Sequence, residues 1–183
     1  MRLPFKLVAS VLALGFAGCA AIGNPLGTMR PDYADVPAES LKAFALEVER
    51  MVKLGDREFQ IDTAGITTTE GVLQAIRTRC ARSELIEEFL DQSYAWERRN
   101  GLIETKRTRA YKDNTTRRER DRFALLVMNE NNSRWIVYEG LVKANNWPAR
   151  SLSAVQDAFY QARVATLSPG QLYEGPGGEA LEK

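Results

Sequence analysis

Glu130 and Arg134 stand one helical turn apart. At about 100° per residue both fall inside the apolar stripe formed by Phe123, Val127, Tyr138 and Leu141. On a solvated face such an i,i+4 pair is worth about 0.3–0.5 kcal/mol and means little. Facing a core it must be desolvated, at several kcal/mol per ion unless geometry and further hydrogen bonds compensate. Asn131, beside the stripe, can supply one such bond. Two readings follow: a polar site lining a groove between helices, or a buried network that fixes helix register. Neither makes the pair catalytic.

Nucleophilic chemistry has little to work with. The chain has no histidine, which excludes Ser-His-Asp and Cys-His catalysis and removes the commonest zinc ligand. Cys80 is flanked by Arg77, Arg79 and Arg82, which could lower a thiol pKa, but a lone cysteine on a helix is more commonly a small packing residue. Glu87 and Glu88 are adjacent on a helix and point apart, unlike the paired carboxylates of a glycosidase. No haem, nucleotide or metal motif occurs, so no cofactor and no metal is expected. The chain reads as non-enzymatic.

The remaining chemistry is electrostatic. Lys106, Arg107, Arg109, Lys112, Arg117, Arg118, Arg120 and Arg122 face only Asp113, Glu119 and Asp121. Arg107, Arg109, Arg117 and Arg118 are candidate contacts for anionic lipid headgroups, worth up to about 1 kcal/mol per basic residue near the surface. The alternative is a solvated turn and helix start. Cations at a helix N-terminus oppose the macrodipole, a conflict that a ligand would relieve.

The first 21 residues give an address. Arg2 and Lys6 precede an apolar run from Leu7 to Phe16 and then Phe16-Ala17-Gly18-Cys19-Ala20, the layout of an export signal. About ten apolar residues are too few to span roughly 30 Å of hydrocarbon. Small residues before a cysteine resemble the lipobox, with Phe16 where leucine is usual. Residues 1–18 are then a signal peptide and Cys19 a lipidated first mature residue. Ala20 beside it, rather than Asp, suggests passage to the outer membrane. The alternative is ordinary cleavage near Ala17 to Ala21 and a soluble periplasmic protein. Without Arg2 and Lys6, 23 basic residues remain against 24 acidic ones, which argues against a nucleic-acid binder. A lipidated Cys19 also leaves Cys80 with no disulfide partner.

The elements that must position these residues read as mostly α: a single domain of four or five helices with at most a short strand or hairpin. Residues 19–38, rich in Gly and Pro, read as a lipid-anchored linker. The helical domain follows over 39–167. Leu41, Phe44, Ala45, Val48, Met51 and Val52 predict a helix stopped by Gly55. Phe59 and Ile61 suit a short strand or a loop. Thr67 and Glu70 form a capping-box pattern before a second helix. Ser83 starts another, reaching Tyr94 and ending at Asn100-Gly101. A hairpin or extended strand is expected over Leu102 to Lys112. A long helix should run from Arg117 to Asn145 and a last one from Ser151 to Thr166. Residues 168–183 read as a flexible tail.

Glu130-Asn131, Arg134 and Tyr138 match a Glu-Asn-x-x-Arg-x-x-x-Tyr pattern, and Pro169-Gly170 with Tyr173 follows. On these residues the stretch of about 77–173 resembles the YdbL-like family of small exported bacterial proteins, a domain of unknown function. Gly101 with Glu104 resembles the family's Gly-Glu segment, with Ile103 in place of a glycine. The resemblance brings no catalytic residues. It implies an envelope accessory role, since members are often encoded beside a large AsmA-like protein and a small lipoprotein thought to bridge the two membranes. The expected function is therefore a periplasmic, outer-membrane-anchored lipoprotein that acts as an interaction module of an envelope complex, linked to AsmA-like phospholipid transport. Its partners would be an envelope protein, the membrane through the anchor, and anionic lipid, with no nucleic acid. The alternative is a carrier for lipid or another anionic envelope ligand, which would need a concave apolar pocket.

Overall fold

The computed structural model describes residues 31–61 and 65–183, so the segment read as a signal peptide, Cys19 and most of the segment read as a linker lie outside the described residues. Helix α1 (Ala38–Leu54) buries Leu41, Phe44, Ala45, Val48, Met51 and Val52. It stops at Gly55, in the left-handed region with φ 68°, where Gly55 and Asp56 N–H groups donate to the Val52 and Met51 carbonyls. Residues 58–61 form a loop, with Phe59 and Ile61 packed on the core. Helix α2 (Glu70–Cys80) is capped by Thr69, whose hydroxyl accepts from Val72 N–H. The expected Thr67–Glu70 box is absent, because Glu70 is already helical and pairs with Arg77. A capping box forms instead further along the chain, between Thr116 and Glu119.

Helix α3 (Ser83–Asp91) ends earlier than its apolar pattern suggests. Tyr94 leads into strand β1 (Ala95–Glu97), and Asn100-Gly101 turns the chain into antiparallel β2 (Ile103–Thr105). The hairpin thus straddles the glycine taken as a helix stop, because Ala95 and Glu97 are both drawn inward. Residues 109–112, expected to be extended, belong to the short helix α4 (Arg109–Asp113), capped by Thr108. Helix α5 (Arg117–Ala144) and helix α6 (Leu152–Thr166), the latter entered through a 3₁₀ turn at 149–151, lie where their periodicity puts them.

The described residues are mostly α, with six helices rather than four or five and a small sheet ordered β2, β1, β3 (Leu172–Glu174), β4 (Ala180–Glu182). Strands β3 and β4 come from the segment read as a flexible tail. That reading is corrected by what the segment meets. β1 offers β3 a parallel edge, Arg98 pairs with Glu174, and the fully buried Gln171 donates to Glu87 and Asp91. The end of the linker is corrected likewise. Asp32 N–H donates to Ser153 Oγ, Tyr33 OH donates to Asp157, and Val36 is buried, so residues 32–36 are packed against α6. No helix among the described residues is long and apolar enough to cross a membrane.

Apolar side chains gather in two clusters. The larger joins α1, α2, the second half of α5 and α6, including Phe44, Ile76, Val137, Leu141 and Phe159. The smaller joins α3, the hairpin and α4, including Phe89, Ile103 and Tyr111, with Phe123 stacked on Phe89 at 4.4 Å. Along α5, Phe123 to Val127 belong to the smaller cluster and Val137 to Leu141 to the larger. Glu130 and Arg134 lie in the gap between them.

Candidate functional site

The gap holds an alternating chain of charge. Glu49 of α1, Arg79 of α2, Glu130 and Arg134 of α5, Glu97 of β1 and Arg163 of α6 are each no more than 3% exposed. Arg79 forks onto both oxygens of Glu49 at 2.7 and 2.9 Å, and its Nε donates to Glu130 Oε1 at 2.8 Å. Arg134 Nε donates to the same oxygen at 2.9 Å. The rest of the Arg134 guanidinium forks onto Glu97 at 2.6 and 3.0 Å, and its Nη1 also donates to the Gly101 carbonyl at 3.1 Å. Arg163 Nε donates to Glu97 at 2.9 Å, and Arg163 reaches Glu87 on α3. Arg82 gives Glu130 a further bond at 2.9 Å. The six buried residues carry three negative and three positive charges, so the interior is neutral overall.

This electrostatic arrangement fixes the protonation of Glu97, Glu130, Arg79 and Arg134. Burial pushes the Glu130 carboxyl up, but Arg79 and Arg134 reverse that and hold it far below the usual carboxylate range. Glu97 is likewise pushed up by burial and held low by Arg134 and Arg163. Burial alone would lower Arg79 and Arg134, yet the facing carboxylates raise both. Glu97 and Glu130 thus stay carboxylates, and Arg79 and Arg134 stay cations, through neutrality. The void against the network measures about 10 Å³, room for at most one water. Among the described residues only Ser151 Oγ is a buried side-chain polar atom with no partner. The Glu130 and Arg134 pair is therefore a buried network and not the lining of a groove.

Asn131 does something other than supporting that pair. Its Oδ1 accepts from Ile103 N–H at 3.0 Å and its Nδ2 donates to the Ile103 carbonyl at 2.9 Å. The amide thus satisfies the outer edge of β2, as a neighbouring strand would. Tyr138 OH donates to the Gly101 carbonyl at 2.6 Å, and burial pushes its phenol up, so it stays a donor. Gly101 has φ +77°, and a Cβ there would meet Tyr138 OH at 3.0 Å and the Gln156 carbonyl at 3.1 Å. Gly101→Ala is therefore expected to destabilise the domain by about 1–3 kcal/mol, read as a fall in the urea unfolding midpoint. An unchanged midpoint would refute the tight turn.

Cys80 is buried, and that burial pushes its thiol up to about 11, against the weaker pull of Arg79, so it is not an activated nucleophile. No group of three or more His, Cys, Asp or Glu among the described residues could hold a metal. Arg107, Arg109, Arg117 and Arg118 are all exposed, and they gather around α4 and the start of α5. Arg109 approaches Asp113 at 3.5 Å. Arg107, Arg117, Arg118 and Arg122 form no ion pair with any described residue.

Glu49, Glu97 and Arg163 were not singled out from sequence, and Arg79 was named only as a neighbour of Cys80. Arg79 had a signal, since it lies in the middle of the stripe of Val72, Ala75 and Ile76. Glu97 gave only a short strand alternation, and Glu49 and Arg163 sit at stripe margins. Comparison with protein-family models, curated proteins and solved structures finds no match for the chain.

Proposed function

We infer that the chain is a non-enzymatic exported lipoprotein, an accessory or interaction module of an envelope complex. The observation that carries this reading is the use of the motif residues. Glu130 and Arg134 are saturated by buried partners, Tyr138 locks the hairpin turn, and Asn131 closes a strand edge. A motif wholly engaged in the fold leaves the surface to do the work, which suits a protein that binds rather than reacts. The resemblance to the YdbL-like family and the leader with Cys19 add the location: the periplasm, on the outer membrane, beside an AsmA-like phospholipid-transport system.

The carrier alternative has less support. A lipid carrier needs a concave pocket that encloses most of its ligand. Two cavities among the described residues, of about 700 and 690 Å³, are open surface grooves rather than enclosed chambers.

Two experiments test the reading. Metabolic labelling with a clickable fatty acid is expected to mark the chain, with label and membrane fractionation lost in Cys19→Ser. Equal labelling of that variant would refute the anchor. Crosslinking in intact envelopes, followed by affinity purification and mass spectrometry, is expected to recover a discrete envelope protein. Recovery of the chain alone, across several crosslinker lengths, would refute the accessory role.

A further inference from the structure

We propose that the outer face of α5, with the turn between β2 and α4, docks on an anionic phospholipid surface and seats Leu125 and Met128 at its interface. This deepens the accessory-module reading and rests on it only for where such a membrane would be met. The first observation is exposed apolar surface. Leu125, Met128 and Ile136 are 56%, 51% and 52% exposed, and they supply three of the five large hydrophobic side chains left open among the described residues.

Their placement makes a face. At about 100° per residue, Leu125, Met128 and Ile136 share one sector of α5 with Arg117, Arg118 and Arg122, all within about 140°. Asp121 and Glu139 are the acidic members of that sector. The cations crowd the N-terminal end, where the β2–α4 turn adds Lys106 and Arg107. Beside them an open groove between β2 and α5 is floored by Ala124, Val127 and Met128 and walled by Trp96. Lys106 lies over the Trp96 ring at 5.3 Å. Cations bordering aliphatic side chains, with an amphipathic aromatic at the margin, is the composition of an interfacial surface.

Charge complementarity names the occupant. Arg107, Arg117, Arg118 and Arg122 have no acidic partner among the described residues, so they are open to an external anion. A protein strand is poorly suited, because Asn131 already occupies the β2 edge at Ile103. An anionic bilayer meets both halves of the face at once, with headgroup phosphates at the arginines and apolar interface at Leu125 and Met128. Each Lys or Arg close to such a surface raises partitioning about fivefold.

The test uses the full-length chain carrying Cys19→Ser, with a single NBD fluorophore on Leu125→Cys. Cys80 is buried and does not compete for the label. Vesicles of phosphatidylcholine alone are compared with vesicles containing phosphatidylglycerol. The proposal expects a blue-shifted, several-fold brighter emission only with phosphatidylglycerol, reversed near 1 M salt, where screening shortens to about 3 Å. The same label on Leu85→Cys, exposed on α3, should not respond. Reversing Arg107, Arg117, Arg118 and Arg122 to Glu should weaken binding by at least about a hundredfold. The salt titration tests the same point without altering a residue.

Equal response at positions 85 and 125, response to neutral vesicles alone, or a response to a soluble polyanion but not to vesicles would each overturn the proposal. None of these outcomes depends on lipidation or on an envelope partner. Failure here therefore leaves the accessory-module reading to its own tests.

Discussion

Replacing Arg134 by alanine is expected to lower the stability of the domain by about 3–5 kcal/mol, measured by urea unfolding. The guanidinium serves Glu130, both oxygens of Glu97 and the Gly101 carbonyl, and all four bonds are shielded from water. Its removal leaves two buried carboxylates short of a donor. Arg163 still serves Glu97, and Arg79 and Arg82 still serve Glu130, which limits the loss. Arg134→Lys should rescue little, because an ammonium cannot reproduce the fork on Glu97. Changing Glu130 to Leu and Arg134 to Met together removes one charge of each sign. Glu49 with Arg79 and Glu97 with Arg163 remain as balanced pairs, so the double variant should lose less than Arg134→Ala alone. A loss under about 0.5 kcal/mol for the single change would mean that water reaches the pair.

The second large effect is in acid. Glu130 and Glu97 are held below the value of about 4.3 that they regain on unfolding. Between the two values the unfolded chain binds more protons, so stability rises with pH through that window. Their contribution is complete above about pH 5 and is lost as the solution falls through the depressed folded values. Cys80 works in the opposite sense. Its thiol is raised to about 11 from an unfolded value near 8.5, so its contribution is present below about pH 8.5 and is lost as the solution climbs toward the folded value. The urea midpoint should therefore fall steeply below about pH 4 and more gently above pH 8.5. Cys80→Ala should flatten the alkaline limb and leave the acid limb unchanged. A midpoint constant from pH 5 to pH 3 would contradict the network.

Periodicity disclosed the longer helices because each has an apolar stripe that is buried, and it missed α4, which buries only Tyr111. Helices α1, α5 and α6 stand within a few residues of their expected limits. The sheet was legible only in β2, since three-residue strands leave almost no pattern, and β3 and β4 exist by virtue of an edge offered by distant β1. The buried position of Glu130 and Arg134 could be read from their neighbours on one helix. Their other partners could not, because Glu49, Arg79, Glu97 and Arg163 come from four separate elements, and only the tertiary fold brings them together. Asn131 illustrates the same limit. Its place beside the stripe was visible, but its object, a strand edge 28 residues away, was not.

The buried charges also bear on the order in which the chain can acquire its shape. Glu49 meets Arg79 across 30 residues, Arg79 meets Glu130 across 51, and Glu97 waits 66 residues for Arg163. Such long-range closures carry a loop entropy that must be met before any ion gains its partner, which slows folding. A nascent chain ending before Arg163 already carries Arg79, Arg82 and Arg134 for Glu49, Glu130 and Glu97, but it leaves Glu97 one donor short and Glu87 without its arginine. The last fastenings, Arg163 and then Gln171 on Glu87, lie close to the C-terminus. Docking of α6 is thus the step that completes the network, and through Glu97 and Glu87 it ties the hairpin and α3 to the last helix of the fold.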